Sequence, residues 1–134
     1  MRELAGALSG LGLEAGRIHT EIFGAAPAMT PGVVATPAVP PHPPAGTPGT
    51  GPAVAFARSG LTVRWDPAYA SLLELAEACS VPTRWSCRTG VCHNCESGLL
   101  SGAIGYSPDP VEPPAEGNVL ICCSVPRDDI VLDL

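Results

Sequence analysis

The segment "WSCRTGVCHNCESGLLSG", Trp85 to Gly102, carries Cys87, Cys92 and Cys95 in the spacing C-x4-C-x2-C. A regular helix or strand cannot turn three thiols this close in sequence toward one centre from several directions. An irregular loop can. Gly90 takes backbone conformations that residues with a Cβ resist, and it lets the chain approach a bound group closely. Backbone N–H groups along such a loop can turn inward and stabilise a negatively charged centre. Arg88, next to Cys87, can moderate charge at the rim. The segment reads as a thiolate cradle for a metal centre whose fourth ligand lies elsewhere in the chain.

The surrounding composition narrows the function. The chain has 134 residues, room for one domain and a tail. Its net charge is −6, and all seven basic residues are Arg. No Lys/Arg block appears, so binding to nucleic acid by phosphate neutralisation is not expected. No apolar run approaches the ~20 residues that span a bilayer, so no membrane partner is expected. The first residues, "MRELAGALSGLGLEAG", are broken by Arg2, Glu3 and Glu14 and do not read as a signal peptide. A cytoplasmic location is expected. There the six cysteines stay reduced, as metal ligands or core residues rather than disulfides.

The chain divides by composition. In residues 1–24, Leu4, Leu8 and Leu11 recur at helical spacing, and "RIHTEIFG", Arg17 to Gly24, alternates as a strand. Such a pair buries too little to fold alone. Residues 25–52 hold nine Pro among 28 residues and no charge. They are expected to form neither helix nor sheet but a disordered linker, extended in its Pro-rich middle, with His42 a solvated side chain. Residues 53–134 read as an α+β domain that folds by itself. "AVAFARSGLTVRW" is a pair of strands joined at Ser59-Gly60. Asp66-Pro67 is expected to cap and open a helix whose apolar face is Tyr69, Leu72, Leu73, Ala76 and Cys79. Cys79 reads as a small buried hydrophobe. Beyond the cysteine loop, strands are expected over Asn118–Val125 and Asp129–Asp133.

The thiol spacing selects the metal chemistry. C-x4-C-x2-C with a distant fourth cysteine is the pattern of plant-type [2Fe–2S] centres. The alternative, a zinc-binding interaction module without redox function, takes Cys92-x2-Cys95 as a half-site. It needs a second half-site roughly 12 to 20 residues on. The next cysteines, Cys122 and Cys123, are adjacent and start 27 residues beyond Cys95. A Rieske centre requires two His, and His93 is the only His of residues 53–134. His93 reads as a loop side chain at the edge of the cluster. A redox C-x-x-C pair leaves Cys87 unexplained. Strand periodicity leaves the fourth ligand open: Leu120 and Cys122 share one face, Ile121 and Cys123 the other.

Together with "VLICCSVPRDDIVLDL", the cysteine segment resembles a plant-type [2Fe–2S] ferredoxin domain of the β-grasp fold. It is most similar to the C-terminal ferredoxin module of flavin-dependent oxygenase reductases of the phthalate dioxygenase reductase and vanillate demethylase reductase type. The resemblance runs from Ala53 to Leu134. "MRELAGALSGLGLEAGRIHTEIFG" is similar to the last helix and strand of the nicotinamide-binding domain in the same reductases. The resemblance implies a [2Fe–2S] cluster held by Cys87, Cys92, Cys95 and Cys122. Related ferredoxins place the fourth ligand four residues before a Pro that precedes the final strand, and Pro126 points back to Cys122. It further implies a one-electron carrier between reduced flavin and a terminal oxygenase or similar acceptor, with a potential near roughly −400 mV. No G-x-G-x-x-G fingerprint and no arginine-bearing flavin motif occur. The flavin and nicotinamide reductase domain is therefore expected to be missing or a separate partner. The chain would be the final part of a longer polypeptide or half of a split system, an electron-transfer component of an NAD(P)H-dependent flavin oxidoreductase. Residues 53–134 hold ten Asp and Glu against five Arg, which suits an acidic docking face or an ordinary soluble surface.

Overall fold

The computed structural model describes residues 33–35 and 39–134. In chain order the elements are β1 (Val33–Ala35), β2 (Ala53–Phe56), β3 (Leu61–Arg64), α1 (Leu72–Ala78), β4 (Thr83–Trp85), β5 (Glu96–Ser101), β6 (Ile104–Tyr106), β7 (Asn118–Leu120), a 3-10 turn (Ile121–Cys123), β8 (Ser124–Pro126) and β9 (Ile130–Leu132). The main sheet runs β3-β2-β9-β5-β7. Strands β2 and β3 form the expected hairpin, paired from Ala53↔Arg64 to Phe56↔Leu61. Gly60, at φ +62°, supplies the left-handed residue of its turn. Strand β9 lies parallel to β2 and antiparallel to β5. Two short antiparallel ladders, β1–β4 and β6–β8, flank the sheet.

Alternation along the strands builds the core. Val54 and Phe56 of β2, Ile130 and Leu132 of β9, and Leu72, Leu73 and Leu75 of α1 are buried in one cluster. Each fully buried Leu or Phe side chain contributes roughly 1.5–3 kcal/mol of transfer free energy. Helix α1 packs against the 3-10 turn that carries Cys122 and Cys123, so the core is continuous with the cysteine region. The α+β, β-grasp architecture expected for residues 53–134 is the one observed. No helix among the described residues is long and apolar enough to cross a membrane.

The structure corrects several local expectations. The helix does not open at Asp66-Pro67. The Asp66 carboxylate accepts the Ala68 N–H and its carbonyl accepts the Tyr69 N–H, which closes a separate turn. The helix starts instead behind Ser71, whose Oγ accepts the Glu74 N–H, while Glu74 reaches back to the Ala70 N–H. Tyr69 lies outside the helix, and Cys79 is its buried C-terminal cap. The strand expected over Asn118–Val125 is interrupted by the 3-10 turn, so alternation does not apply to Cys122 and Cys123, which are both buried. Strands β4, β5 and β6, around and after the cysteine loop, were not anticipated; Gly98, Gly102 and Gly105 mask their pattern.

The Pro-rich stretch also departs from expectation. Strand β1 lies within it and pairs with β4. Residues 39–52 have no regular structure but lie against the domain: the His42 N–H donates to the Cys79 carbonyl, and the Gly51 N–H to the Trp65 carbonyl. His42 is exposed, yet its Nε2 lies 3.1 Å from Ser80 Oγ. The helix and strand expected in residues 1–24 lie outside the described residues.

Candidate iron–sulfur site

Residues 86–95 form an irregular loop between β4 and β5. Three residues in it take positive φ: Arg88 (+58°), Gly90 (+73°) and His93 (+60°). These kinks turn successive amides inward. Cys87 Sγ accepts N–H groups from Thr89 at 3.4 Å, Val91 at 3.5 Å and Cys92 at 3.4 Å. Cys92 Sγ in turn lies 3.5 Å from the Cys87 N–H. Such a ring of amides is an anion-binding nest. Burial pushes the Cys87 thiol up, but hydrogen bonds from Thr89 and the Cys92 and Val91 amides outweigh it and bring its pKa down to about 6.

Cys95 and Cys122 form the second pair. Both are buried. The neighbouring Cys95 thiol, against the cost of burial and with help from the Gly90 N–H and Cys123, brings Cys122 down to about 7. Cys95 itself is pushed up by Cys122 and by burial. Cys123 behaves differently. It is fully buried, its Sγ is 3.7 Å from the Leu120 carbonyl, and burial raises its pKa to about 12. Burial likewise raises Cys79 to about 11. Thiolates, not thiols, bind metals, and Cys87 and Cys122 are the two cysteines held toward the thiolate form.

Gly90 links the two pairs. A Cβ there would lie 2.8 Å from Cys123 Sγ and 3.2 Å from the Pro110 Cα. The Gly90 carbonyl also accepts the Val111 N–H, which lays the Pro-rich segment 107–117 against the loop. Behind the loop, Glu96 accepts N–H groups from Ala115 and Asn118 and sits 3.1 Å from His93 Nδ1. His93 is thus a half-buried edge residue whose Nδ1 faces Glu96, while its Nε2 is buried without a protein partner. At the rim, Arg88 makes two hydrogen bonds to Glu77 of α1 and stacks its guanidinium 4.0 Å from the Trp85 ring centroid. Arg88 was singled out from the sequence. Glu77, Trp85 and Glu96 were not, because their partners are made by the fold.

The donor set fits a two-iron centre. Among the described residues no three His, Cys, Asp or Glu side chains are grouped as a single metal ion needs. A [2Fe–2S] cluster takes four thiolates, two for each iron, and Cys87, Cys92, Cys95 and Cys122 can supply four. The Asn94 amide nitrogen is buried in the same loop without a protein acceptor, as an electron-rich group nearby would allow.

The sequence family described as a 2Fe-2S iron-sulfur cluster binding domain matches residues 54–127. The chain belongs to this family. Its residues 54–127 are a [2Fe–2S] cluster binding domain, and nothing favours the zinc module. This ferredoxin domain is 37% identical over 69 residues to Ferredoxin-2 of a Synechococcus species, a match covering 47% of the chain and 63% of that protein. It is 34% identical over 70 residues to the reductase subunit of a toluene-4-sulfonate monooxygenase system from Comamonas testosteroni, covering 50% of the chain and 22% of the subunit. Its fold matches the solved phthalate dioxygenase reductase, which transfers electrons from pyridine nucleotides to [2Fe–2S]. The TM-score is 0.54 and the identity 28%, over 69% of this chain and 30% of that one. Relatives of these kinds support a redox partner in general.

Proposed function

We propose that Cys87, Cys92, Cys95 and Cys122 hold the cluster and that Cys123 and Cys79 do not. The observation that carries this reading is the ring of amides in the cysteine loop, Thr89, Val91 and Cys92 N–H on Cys87 Sγ and Cys87 N–H on Cys92 Sγ, with Cys95 and Cys122 buried in the adjoining core. When bound, a [2Fe–2S] cluster accepts and returns one electron. The protein's part is to bring thiolates, amides and a stiff wall together. Amides of Thr89, Val91 and Cys92 offset negative charge at Cys87, and burial of Cys95 and Cys122 keeps water from the inner side. The outer side is open at the half-buried Cys87 and Cys92, the face a partner can approach.

The electron source that best suits the resemblance is a reduced flavin in a nicotinamide-dependent reductase domain, absent from this chain or separate. The acceptor is a terminal oxygenase or similar redox protein, in the cytoplasm. Residues 1–24 are the proposed remnant of the nicotinamide domain, 25–52 the connection and 53–134 the ferredoxin domain. The monooxygenase reductase subunit and phthalate dioxygenase reductase support a ferredoxin domain that works with a reductase.

The ligand reading is tested by two serine variants and an anaerobic visible spectrum with iron and sulfide analysis. Cys122→Ser is expected to lose or severely weaken the cluster, and Cys123→Ser to keep it. The opposite pattern would assign Cys123 as the ligand. Cys79→Ala is expected to keep full cluster absorbance.

A further inference from the structure

Arg88 follows Cys87 directly and sits at φ +58°, a left-handed conformation that residues with a Cβ rarely adopt. Its side chain is held on two sides. Nη1 donates to Glu77 Oε2 at 3.0 Å, and Nη2 donates to Glu77 Oε1. The guanidinium carbon lies 4.0 Å from the centroid of the Trp85 ring. Glu77 belongs to α1 and Trp85 ends β4, so helix, strand and loop meet at one side chain. The amides that follow the Arg88 kink, those of Thr89, Val91 and Cys92, are the ones that reach Cys87 Sγ.

We propose that Arg88 is a positioning residue for the cluster, clamped by Glu77 and Trp85 so that it fixes the amides serving Cys87 and places a positive charge that favours the reduced state. The proposal rests on the reading that Cys87 is a ligand. Its two parts have separate consequences. The clamp needs the planar fork and flat face of a guanidinium, which an ammonium lacks. The charge effect needs only a cation. A centre that gains an electron becomes more negative, and nearby positive charge and sulfur-directed hydrogen bonds stabilise that state. Glu77 supports the clamp but offsets the charge. Removing Arg88's charge and removing Glu77's charge therefore move the potential in opposite directions.

The test uses the full chain with its cluster, and reads the reduction potential by spectroelectrochemistry and cluster loss under a chelator by visible absorbance. Arg88→Gln is expected to shift the reduction equilibrium toward the oxidised form, by about threefold to tenfold, where tenfold is about 59 mV for one electron. It is also expected to lose the cluster faster. Arg88→Lys is expected to stay within about twofold of the parent equilibrium yet still lose the cluster faster, since charge is kept and the fork is not. Glu77→Gln is expected to shift the equilibrium toward the reduced form. An unchanged potential in Arg88→Gln, or shifts of the same sign in Arg88→Gln and Glu77→Gln, would overturn the proposal. Should Arg88→Gln give no folded protein, Glu77→Gln decides alone: an unchanged or oxidised-favouring equilibrium overturns it. Cys87→Ser separates the underlying reading. A full cluster in that variant would remove Cys87 as a ligand whatever the Arg88 variants show.

Discussion

Two irregular stretches of this protein, residues 39–52 and residues 86–95, are held in opposite ways. The first is held from outside. Pro has no N–H, so a Pro-rich segment has few donors of its own and leans on its neighbours. Its backbone contacts are single bonds spaced along the strap: the His42 N–H to the Cys79 carbonyl, the Gly51 N–H to the Trp65 carbonyl, and the Trp65 N–H to the Pro52 carbonyl, with side-chain contacts from His42 to Ser80 and from Arg64 to the Gly51 carbonyl. The second is held from inside. Its donors turn toward its own sulfur atoms, and its kinks at Arg88, Gly90 and His93 exist to turn them. The strap is therefore expected to add stability to the domain without forming its site. The loop is inseparable from the cofactor it binds.

The comparison is broken most severely at Gly90. Its positive φ resists a Cβ, and the added atom would meet Cys123 Sγ at 2.8 Å and Pro110 at 3.2 Å. Gly90→Ala therefore faces backbone strain of roughly 1–3 kcal/mol together with a collision against a fully buried side chain. Most cluster absorbance is expected to be lost, with the rest of the fold retained by far-UV circular dichroism. Full absorbance in Gly90→Ala would show that the loop tolerates reshaping as the strap does.

The corresponding change in the strap is Gly49→Ala. Here a Cβ would lie 2.2 Å from the Trp65 carbonyl oxygen, so the strap must lift. Losing one or two neutral hydrogen bonds costs about 1–2 kcal/mol. For a domain of this size each kcal/mol lowers Tm by roughly 4–8 °C. Gly49→Ala is expected to melt lower by about that amount while keeping its cluster spectrum. A chain cut to residues 53–134 is expected to do the same, and one cut to 39–134 to recover the parent Tm. Loss of the cluster from the 53–134 chain would join the strap to the site and end the distinction.

What could be read from the sequence follows the same division. The cysteine loop announces itself, because C-x4-C-x2-C is a chemical requirement written in adjacent residues. The hairpin of β2 and β3 is equally local, an alternating pattern across Ser59-Gly60. Asp66-Pro67 misled because Asp favours an Asx turn as readily as a helix cap, and Ser71 with Glu74 formed the better cap five residues later. The split at Ile121–Cys123 was hidden because an apolar run reads alike as strand or as buried turn. The strap was read as free because composition reports its lack of donors, whereas the carbonyls of Cys79 and Trp65 that hold it are supplied by the fold. For the same reason Arg88 was legible as a charge beside Cys87, and its grip on Glu77 was not.

A second Pro-rich segment, residues 107–117, sharpens the comparison on a smaller scale. It too leans on its neighbours, but one of its anchors is a titratable side chain. Glu96 Oε1 accepts the Ala115 N–H at 2.9 Å and the Asn118 side-chain amide at 2.8 Å. Burial pushes the Glu96 carboxyl up, but hydrogen bonds from Asn118, Ala115 and His93 outweigh it and hold it below the ordinary Glu value. A group whose folded pKa is depressed contributes stability above its unfolded pKa and loses it as pH falls through the folded one. The contribution of Glu96 is therefore complete at neutral pH and fades below about pH 4.3, the unperturbed Glu value. Acid also protonates the ligand thiolates in parent and variant alike, so the informative quantity is the difference between the parent and Glu96→Gln. That difference in Tm is expected to be small and constant from pH 8 to about pH 5, and to narrow below about pH 4 as the parent carboxylate becomes neutral. A difference that stays constant through the acid range would mean that the charge of Glu96 adds nothing to holding this segment, and that Pro110 and Val111 against Gly90 hold it without help.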